Sequence, residues 1–211
     1  MALDKFGNSG AEVLQTVVPI ENLSDHELIE ATKRGDEPAF GEIMRRYRSP
    51  ITNYIYRFLN DYEEAVDLAQ ETFVRVYFAI ERYHTDYAFS TYIYRIATNL
   101  AISEIRRRKR RRLVSLTGLF QYGAESEAQD FNPPDEKPTP DADLIESEQS
   151  KTIARAIATL PEKYRAPIVL RDVEGKSYEE VAQIMNLGLG TTKSRISRAR
   201  KLLREKLQNY F

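Results

Sequence analysis

The segment Ser177–Leu207, SYEEVAQIMNLGLGTTKSRISRARKLLREKL, is two short amphipathic helices joined by a glycine-bearing turn. Ser177 followed by Glu180 is a capping box and starts the first helix, whose apolar side is Val181, Ala182, Ile184 and Met185. Asn186 to Gly190 is the turn, and Thr191 or Thr192 is placed to cap the second helix. At about 100° per residue, Thr192, Ile196, Ala199, Leu203 and Leu207 share one side of that helix. Lys193, Ser194, Ser197, Arg198 and Lys201 share the opposite side, flanked by Arg195, Arg200 and Arg204. An inward apolar stripe beneath an outward face of small polar and long basic residues suits a helix that reads base edges in the major groove. A solvated basic helix is the competing reading. Against it stand the scarcity of interspersed acids and the compact helix across the turn.

Working outward, the rest of the chain carries no comparable catalytic pattern. The 211 residues hold a net charge of -1, so bulk charge does not mark a nucleic-acid binder. The distribution does, because Arg106 to Arg112 is wholly basic while Glu125 to Glu148 is strongly acidic with only Lys137 opposing it. No cysteine is present, which excludes disulfides and thiolate metal sites and fits a reducing compartment. His26 and His84 are the only histidines and read as surface or cap residues. Val13–Ile20 is too short and too interrupted for a signal peptide or a membrane span. A soluble cytoplasmic protein with no cofactor, no metal and no membrane insertion is expected.

Helical periodicity organises the first half. Residues 1–24 lack clear periodicity and read as a tail. Ser24 to Glu27 forms a capping box for a helix through Lys33, and Gly35-Asp36 breaks it and caps the next, from Pro38 to about Leu59. There Phe40, Ile43, Met44, Tyr47, Ile51, Ile55 and Phe58 recur at helical spacing. A third helix from Tyr62 to about Tyr83 stripes Val66, Ala69, Phe73, Val76 or Tyr77, and Ile80. A fourth from Ser90 to about Arg112 stripes Ile93, Ile96, Ala97, Leu100, Ala101 and Ile105. The expected fold class is all-α, with one helical domain over 25–112 and a second over 146–211. The proline-rich acidic stretch within 113–145 is the tether between them. In the second domain Ile153, Ala156, Ile157 and Leu160 form a stripe, and Pro161-Glu162 opens a further helix to about Asp172.

Two surfaces of the first domain bear on function. Tyr83 to Asn99 interleaves aromatic residues with polar donors just ahead of the basic run. Aromatic faces stack unpaired bases while Arg and Lys hold the backbone, the layout for a single strand. A core role is the competing reading for each aromatic side chain, and the basic run also suits a helix C-terminus. Asp67, Gln70 and Glu71 form an acidic face that repels DNA, so it is either solvated or a protein-docking face.

Taken in order, these motifs resemble the extracytoplasmic-function, or group 4, sigma factors of the sigma-70 family, along residues 25–112 and 146–211. The resemblance implies that Asp67-Leu68-Ala-Gln70-Glu71-Thr-Phe73 docks on the clamp helices of core RNA polymerase, with the flap as a second contact. It implies that Phe89 to Arg107 is the −10 reader, engaging the opened strand through Phe89, Tyr92, Tyr94, Arg95, Asn99, Arg106 and Arg107. Asn99 resembles the position that helps hold a flipped base, whose extrusion costs a few kcal/mol. Leu160 to Arg165 and residues 178–198 resemble the −35 module, with Thr191, Lys193, Ser194, Arg195, Ser197, Arg198 and Lys201 as its DNA contacts. Tyr92 stands where the family usually has Trp, and Ser90 and Ser103 where it often has Arg and Asp. General role carries over; base preference does not.

A tether of about 33 residues spans roughly 110 Å extended and averages about 30 Å as a coil, while the two promoter elements lie on the order of 60 Å apart. It therefore bridges them without tension. The expected function is a promoter-specificity subunit, stress-responsive and held by an anti-sigma partner. A stand-alone helix-turn-helix regulator leaves the acidic face and the aromatic segment without tasks. A metal-dependent nuclease predicts cleavage on adding Mg²⁺.

Overall fold

The computed structural model describes residues 19–83, 87–119 and 152–208, with backbone alone over 112–119. The acidic tether and His84 lie outside the described residues. Among those described, every regular element is helical.

The first domain is built from α1 (Asp25–Lys33), α2 (Glu37–Leu59), α3 (Tyr62–Ala79) and α4 (Phe89–Leu119). Each of the first three begins where a side chain satisfies orphan amides. Ser24 accepts from Glu27 N while the Glu27 carboxylate accepts from Ser24 N, completing the capping box. Asp36 accepts from Ala39 N, and Asp61 from Glu64 N. Gly35, at φ 89°, supplies the left-handed turn between α1 and α2. α2 runs on through Pro50, where an interior proline ordinarily costs about 3 kcal/mol. Apolar residues on both sides of Pro50, Ile43 before it and Ile51, Ile55 and Phe58 after it, are buried and hold the helix together.

The sequence-based boundaries shift in three places. α3 ends at Ala79 and a 3₁₀ turn, Ile80–Arg82, carries the chain onward. α4 continues past Arg112 to Leu119, into the stretch expected to be tether, because no proline or glycine interrupts it before Gly118. The end of the expected tail is anchored: Ile20–Asn22 is a 3₁₀ turn, and Arg46 Nη2 donates to the Glu21 carbonyl at 2.8 Å and the Leu23 carbonyl at 2.7 Å.

The second domain comprises α5 (residues 152–158), α6 (Glu162–Ile168) with a π-helical turn at Val169–Val173, α7 (Tyr178–Met185) and α8 (Leu189–Leu207). Ala156, Ile157 and Leu160 are buried as expected, but Ile153 is exposed. The Ser177/Glu180 capping box forms, and Asn186 in the left-handed region ends α7. The turn into α8 is shorter than the sequence suggests. α8 begins at Leu189 with Gly188 as its N-cap, so neither Thr191 nor Thr192 caps it. Thr192 is instead fully buried in the first turn, its hydroxyl donating back to the Gly188 carbonyl at 3.2 Å.

The domains touch directly. α4 packs against α6 and α7, and buried residues of both domains form one apolar cluster.

Candidate nucleic-acid interface

α8 presents the face its periodicity predicts. Thr192, Ile196 and Ala199 are buried, and Leu203 and Leu207 partly so. Thr191, Lys193, Ser194, Ser197, Arg198 and Lys201 are exposed, and Arg195 is half-buried. Two features of this face were not legible in sequence. Arg200 is gripped by Asp172, with Nε to Oδ2 at 2.9 Å and Nη2 to Oδ1 at 2.6 Å, so it braces α8 against the π-helical turn that follows α6. The ring of Tyr178 lies between two cations, Arg171 at 4.7 Å and Lys193 at 5.9 Å from its centroid. With Ser197, Arg200, Lys201 and Arg204, Tyr178 and Lys193 line a basic cavity of about 310 Å³.

On α4, Tyr92, Arg95, Asn99, Ser103 and Arg106 fall within an arc of about 80°. Asn99, Ser103 and Arg106 are exposed, and Tyr92 and Arg95 half-buried, with the Arg95 guanidinium 5.9 Å from the Tyr92 ring centroid. Tyr92 is steadied by Tyr83, 5.2 Å between centroids. Phe89 is a core residue, only 3% exposed, packed edge-on against Tyr47 at 5.3 Å and Tyr83 at 5.8 Å. It supports the strip from below. Tyr94 lies away from the strip and is covered by the second domain. Burial, with the Glu174 carboxylate beside it, pushes its phenol pKa well above the ordinary value.

The basic run is partly neutralised within the fold. Arg107 pairs with Glu104 at 2.5 Å and Glu64 at 3.3 Å. Arg108 pairs with Glu104 at 2.9 Å and Asp61 at 2.9 Å. Arg106 reaches Glu162 of the second domain at 3.0 Å. Apart from Glu104, one helical turn away, these partners lie far away in sequence, so the run looks more like a free cationic block in the sequence than it is in the fold.

The third surface is on α3. Asp67 and Gln70 are exposed, Leu68 is half-buried, and Glu71 is paired with Arg75 at 2.7 Å. Phe73 is buried beneath them. Beside this polar row runs an apolar groove of about 930 Å³ between α2 and α3, lined by Met44, Tyr62, Val66, Val74, Tyr77 and Phe78 among others. Phe78 is 80% exposed and Tyr62 62% exposed. Helical periodicity assigns Met44 to the core stripe; the structure leaves it 40% exposed at this groove. Of the pair Val76 and Tyr77, Val76 is buried and Tyr77 faces out. An exposed apolar patch rimmed by polar residues marks a protein-interaction site.

Among the described residues, no three His, Cys, Asp or Glu side chains gather as metal ligands, and no helix is long and apolar enough to cross a membrane.

Residues 43–111 match the family described as Sigma-70 region 2, and residues 150–203 match Sigma-70, region 4. The ECF RNA polymerase sigma factor SigW of Bacillus subtilis is 37% identical over 186 residues, covering 86% of this chain and 95% of that protein. The chain belongs to the extracytoplasmic-function sigma factors of the sigma-70 family. Its function is accordingly that of a sigma factor, promoter-specific initiation of transcription with RNA polymerase. Two solved structures share the fold. CnrH, in complex with the cytosolic domain of CnrY, superposes with a TM-score of 0.61 at 22% identity, covering 88% of this chain and 97% of that one. The sigma factor RpoE, in complex with the anti-sigma factor NepR from Bartonella quintana, gives 0.58 at 24% identity, covering 80% and 96%. The relatives of this sigma factor are transcription initiation factors.

Proposed function

We infer that the three surfaces divide the work of initiation. The α2/α3 groove with Asp67, Leu68, Gln70, Glu71 and the supporting Phe73 docks on core polymerase. The α4 strip of Tyr92, Arg95, Asn99 and Arg106, with Arg107 behind it and Phe89 beneath, captures the opened −10 strand. Tyr94 joins it once uncovered. The α8 face of Thr191, Lys193, Ser194, Arg195, Ser197, Arg198 and Lys201 reads the −35 duplex. Residues 25–112 serve as the polymerase and −10 domain, 146–211 as the −35 domain, and 113–145 as the tether. The protein acts in the cytoplasm, without catalysis of its own, and an anti-sigma factor holds it in reserve under unstressed conditions, as suggested by the relative captured with one.

The observation that carries this reading is the separation of duties. An exposed aromatic–basic strip on α4 and an exposed basic recognition face on α8 sit on different domains. The apolar groove, between α2 and α3 of the first domain, shares no residue with either surface. Immobilised core polymerase should retain the purified chain. A chain that ignores core polymerase yet binds a duplex operator tightly alone would contradict the reading and favour a stand-alone regulator.

A further inference from the structure

We propose that the apolar segment from Val13 to Val18 covers the α2/α3 groove in the free sigma factor, and that core polymerase displaces it on docking. The inference rests on the reading of that groove as the polymerase-docking surface. Residues before Pro19 lie outside the described part of the structure, but the point from which they leave the fold is fixed. Ile20 and Leu23, at the two ends of the 3₁₀ turn, pack against the apolar core. Arg46 on α2 clamps this turn. Its Nη2 donates to the Glu21 carbonyl at 2.8 Å and the Leu23 carbonyl at 2.7 Å, Nη1 to Asp25 Oδ1 at 3.0 Å, and Nε to Glu42 Oε1 at 2.8 Å. The next residue back, Arg45, lines the groove. A hydrogen bond from Glu42 is the main cause that raises the Arg45 pKa, and the Glu21 carboxylate adds to it, so the clamped turn is within electrostatic reach of the groove's rim.

Reach, composition and charge all suit this occupant. Eighteen residues precede Pro19, and fully extended they span roughly 60 Å. The α2 side of the groove, from Phe40 to Asn53, is only about 20 Å long. Among those eighteen residues, Met1, Leu3 and Phe6 are interrupted by Asp4 and Lys5, whereas Val13, Leu14, Val17 and Val18 stand together without a charge. Val13 with Val17, and Leu14 with Val18, have the i, i+4 spacing of groove-binding segments. Glu12 just ahead of them complements Arg45 and Arg48 on the groove's α2 rim. The tether between the domains is the other long stretch outside the described residues, and its prolines and acidic excess do not match an apolar groove.

A weak contact is enough, because the segment is joined to the fold it covers. A short tether holds it at an effective concentration in the millimolar range, so a millimolar contact covers about half the molecules and a tenfold tighter one about nine in ten. Polymerase then meets a groove that is open only part of the time, and the apparent affinity of the whole chain falls about two- to tenfold. Phe78 and Tyr62, 80% and 62% exposed, are the side chains with most apolar surface to gain from the cover. Polymerase, with a larger surface to offer, still displaces it.

A benzophenone amino acid in place of Leu14, in the full-length chain irradiated alone, should attach within the same molecule to groove residues such as Met44, Tyr77 or Phe78. Bound core polymerase should suppress that product. Full-length protein carrying Leu14→Asp and Val17→Asp should bind core polymerase about two- to tenfold more tightly than wild type, while Leu14→Ile keeps wild-type affinity. Attachment outside the groove, attachment to a second copy of the chain, a groove product undiminished in the polymerase complex, or an affinity that the double substitution leaves unchanged or weakens would each overturn the proposal. The attachment map of the free chain needs no polymerase. A failure of the docking reading would appear separately, as the groove product in a chain that polymerase does not bind, which keeps the cover and removes polymerase as its displacing partner.

Discussion

The phenol of Tyr54 and the hydroxyl of Thr98 meet at 2.7 Å in the core between α2 and α4, both almost completely buried. Thr98 Oγ1 also donates to the Tyr94 carbonyl at 2.6 Å. A hydroxyl has one proton, so Tyr54 is the donor of the pair. The direction of this relay fixes an asymmetric prediction. Tyr54→Phe removes a donor and leaves Thr98 still satisfied, costing about 1 kcal/mol. Thr98→Val orphans the Tyr54 hydroxyl in a site without solvent and should cost more, about 1–3 kcal/mol. Denaturant unfolding of the two variants tests the order; equal losses would contradict it.

The apolar groove predicts a binding defect without a folding defect. Phe78→Asp changes a side chain that is 80% exposed, so its circular dichroism and melting temperature should match wild type. Its affinity for core polymerase should fall at least about tenfold, as for loss of an aromatic anchor. Undiminished polymerase binding would remove the groove from the docking surface.

Arg198 is exposed on α8 and makes no ion pair with the described residues. Arg198→Ala should leave the fold intact and weaken −35-dependent initiation by about 1–3 kcal/mol of lost recognition, roughly 5- to 150-fold. Titration of polymerase with variant sigma factor on promoters with and without the upstream element reads this directly. An equal loss on both templates would mean that Arg198 does not read −35.

Glu42 supplies the pH dependence. Hydrogen bonds from Arg45, then from Arg46, hold its carboxyl at about 2, below the ordinary 4.5, and its side chain is only 5% exposed. A depressed folded-state pKa contributes stability that is present above about 4.5 and is lost as pH falls toward 2. Wild type should therefore melt above Glu42→Gln at neutral pH, and the gap should close between pH 4.5 and 2. A gap independent of pH would show that Glu42 acts by packing alone.

Local rules made the helices readable. The capping boxes at Ser24 and Ser177 and the caps at Asp36 and Asn186 need only neighbouring residues, so short-range chemistry places them. The exposed basic face of α8 was equally legible, because one helix's periodicity decides which side is buried. What could not be read depends on partners far along the chain. Arg107 and Arg108 look free in sequence but meet Asp61 and Glu64 across the helix bundle. Met44 looks like a core residue until α2 and α3 pack and leave a groove between them. Tyr94 reads as one more base-stacking aromatic, and only the second domain's position reveals that Glu174 covers it. The early start of α8 was missed for a different reason. Gly188 and Thr192 are both compatible with a cap, and burial of Thr192 against the domain core selects the earlier one.

The central claim is that this chain confers promoter selection on RNA polymerase through two DNA-reading surfaces and one docking surface. Run-off transcription with core polymerase, with and without the purified protein, on templates taken from upstream of its own induced start sites tests that claim most directly. The account predicts discrete start-site-specific transcripts only when the protein is present, abolished by Asn99→Ala combined with Arg198→Ala. Transcription that is unchanged by the protein on every such template would contradict it.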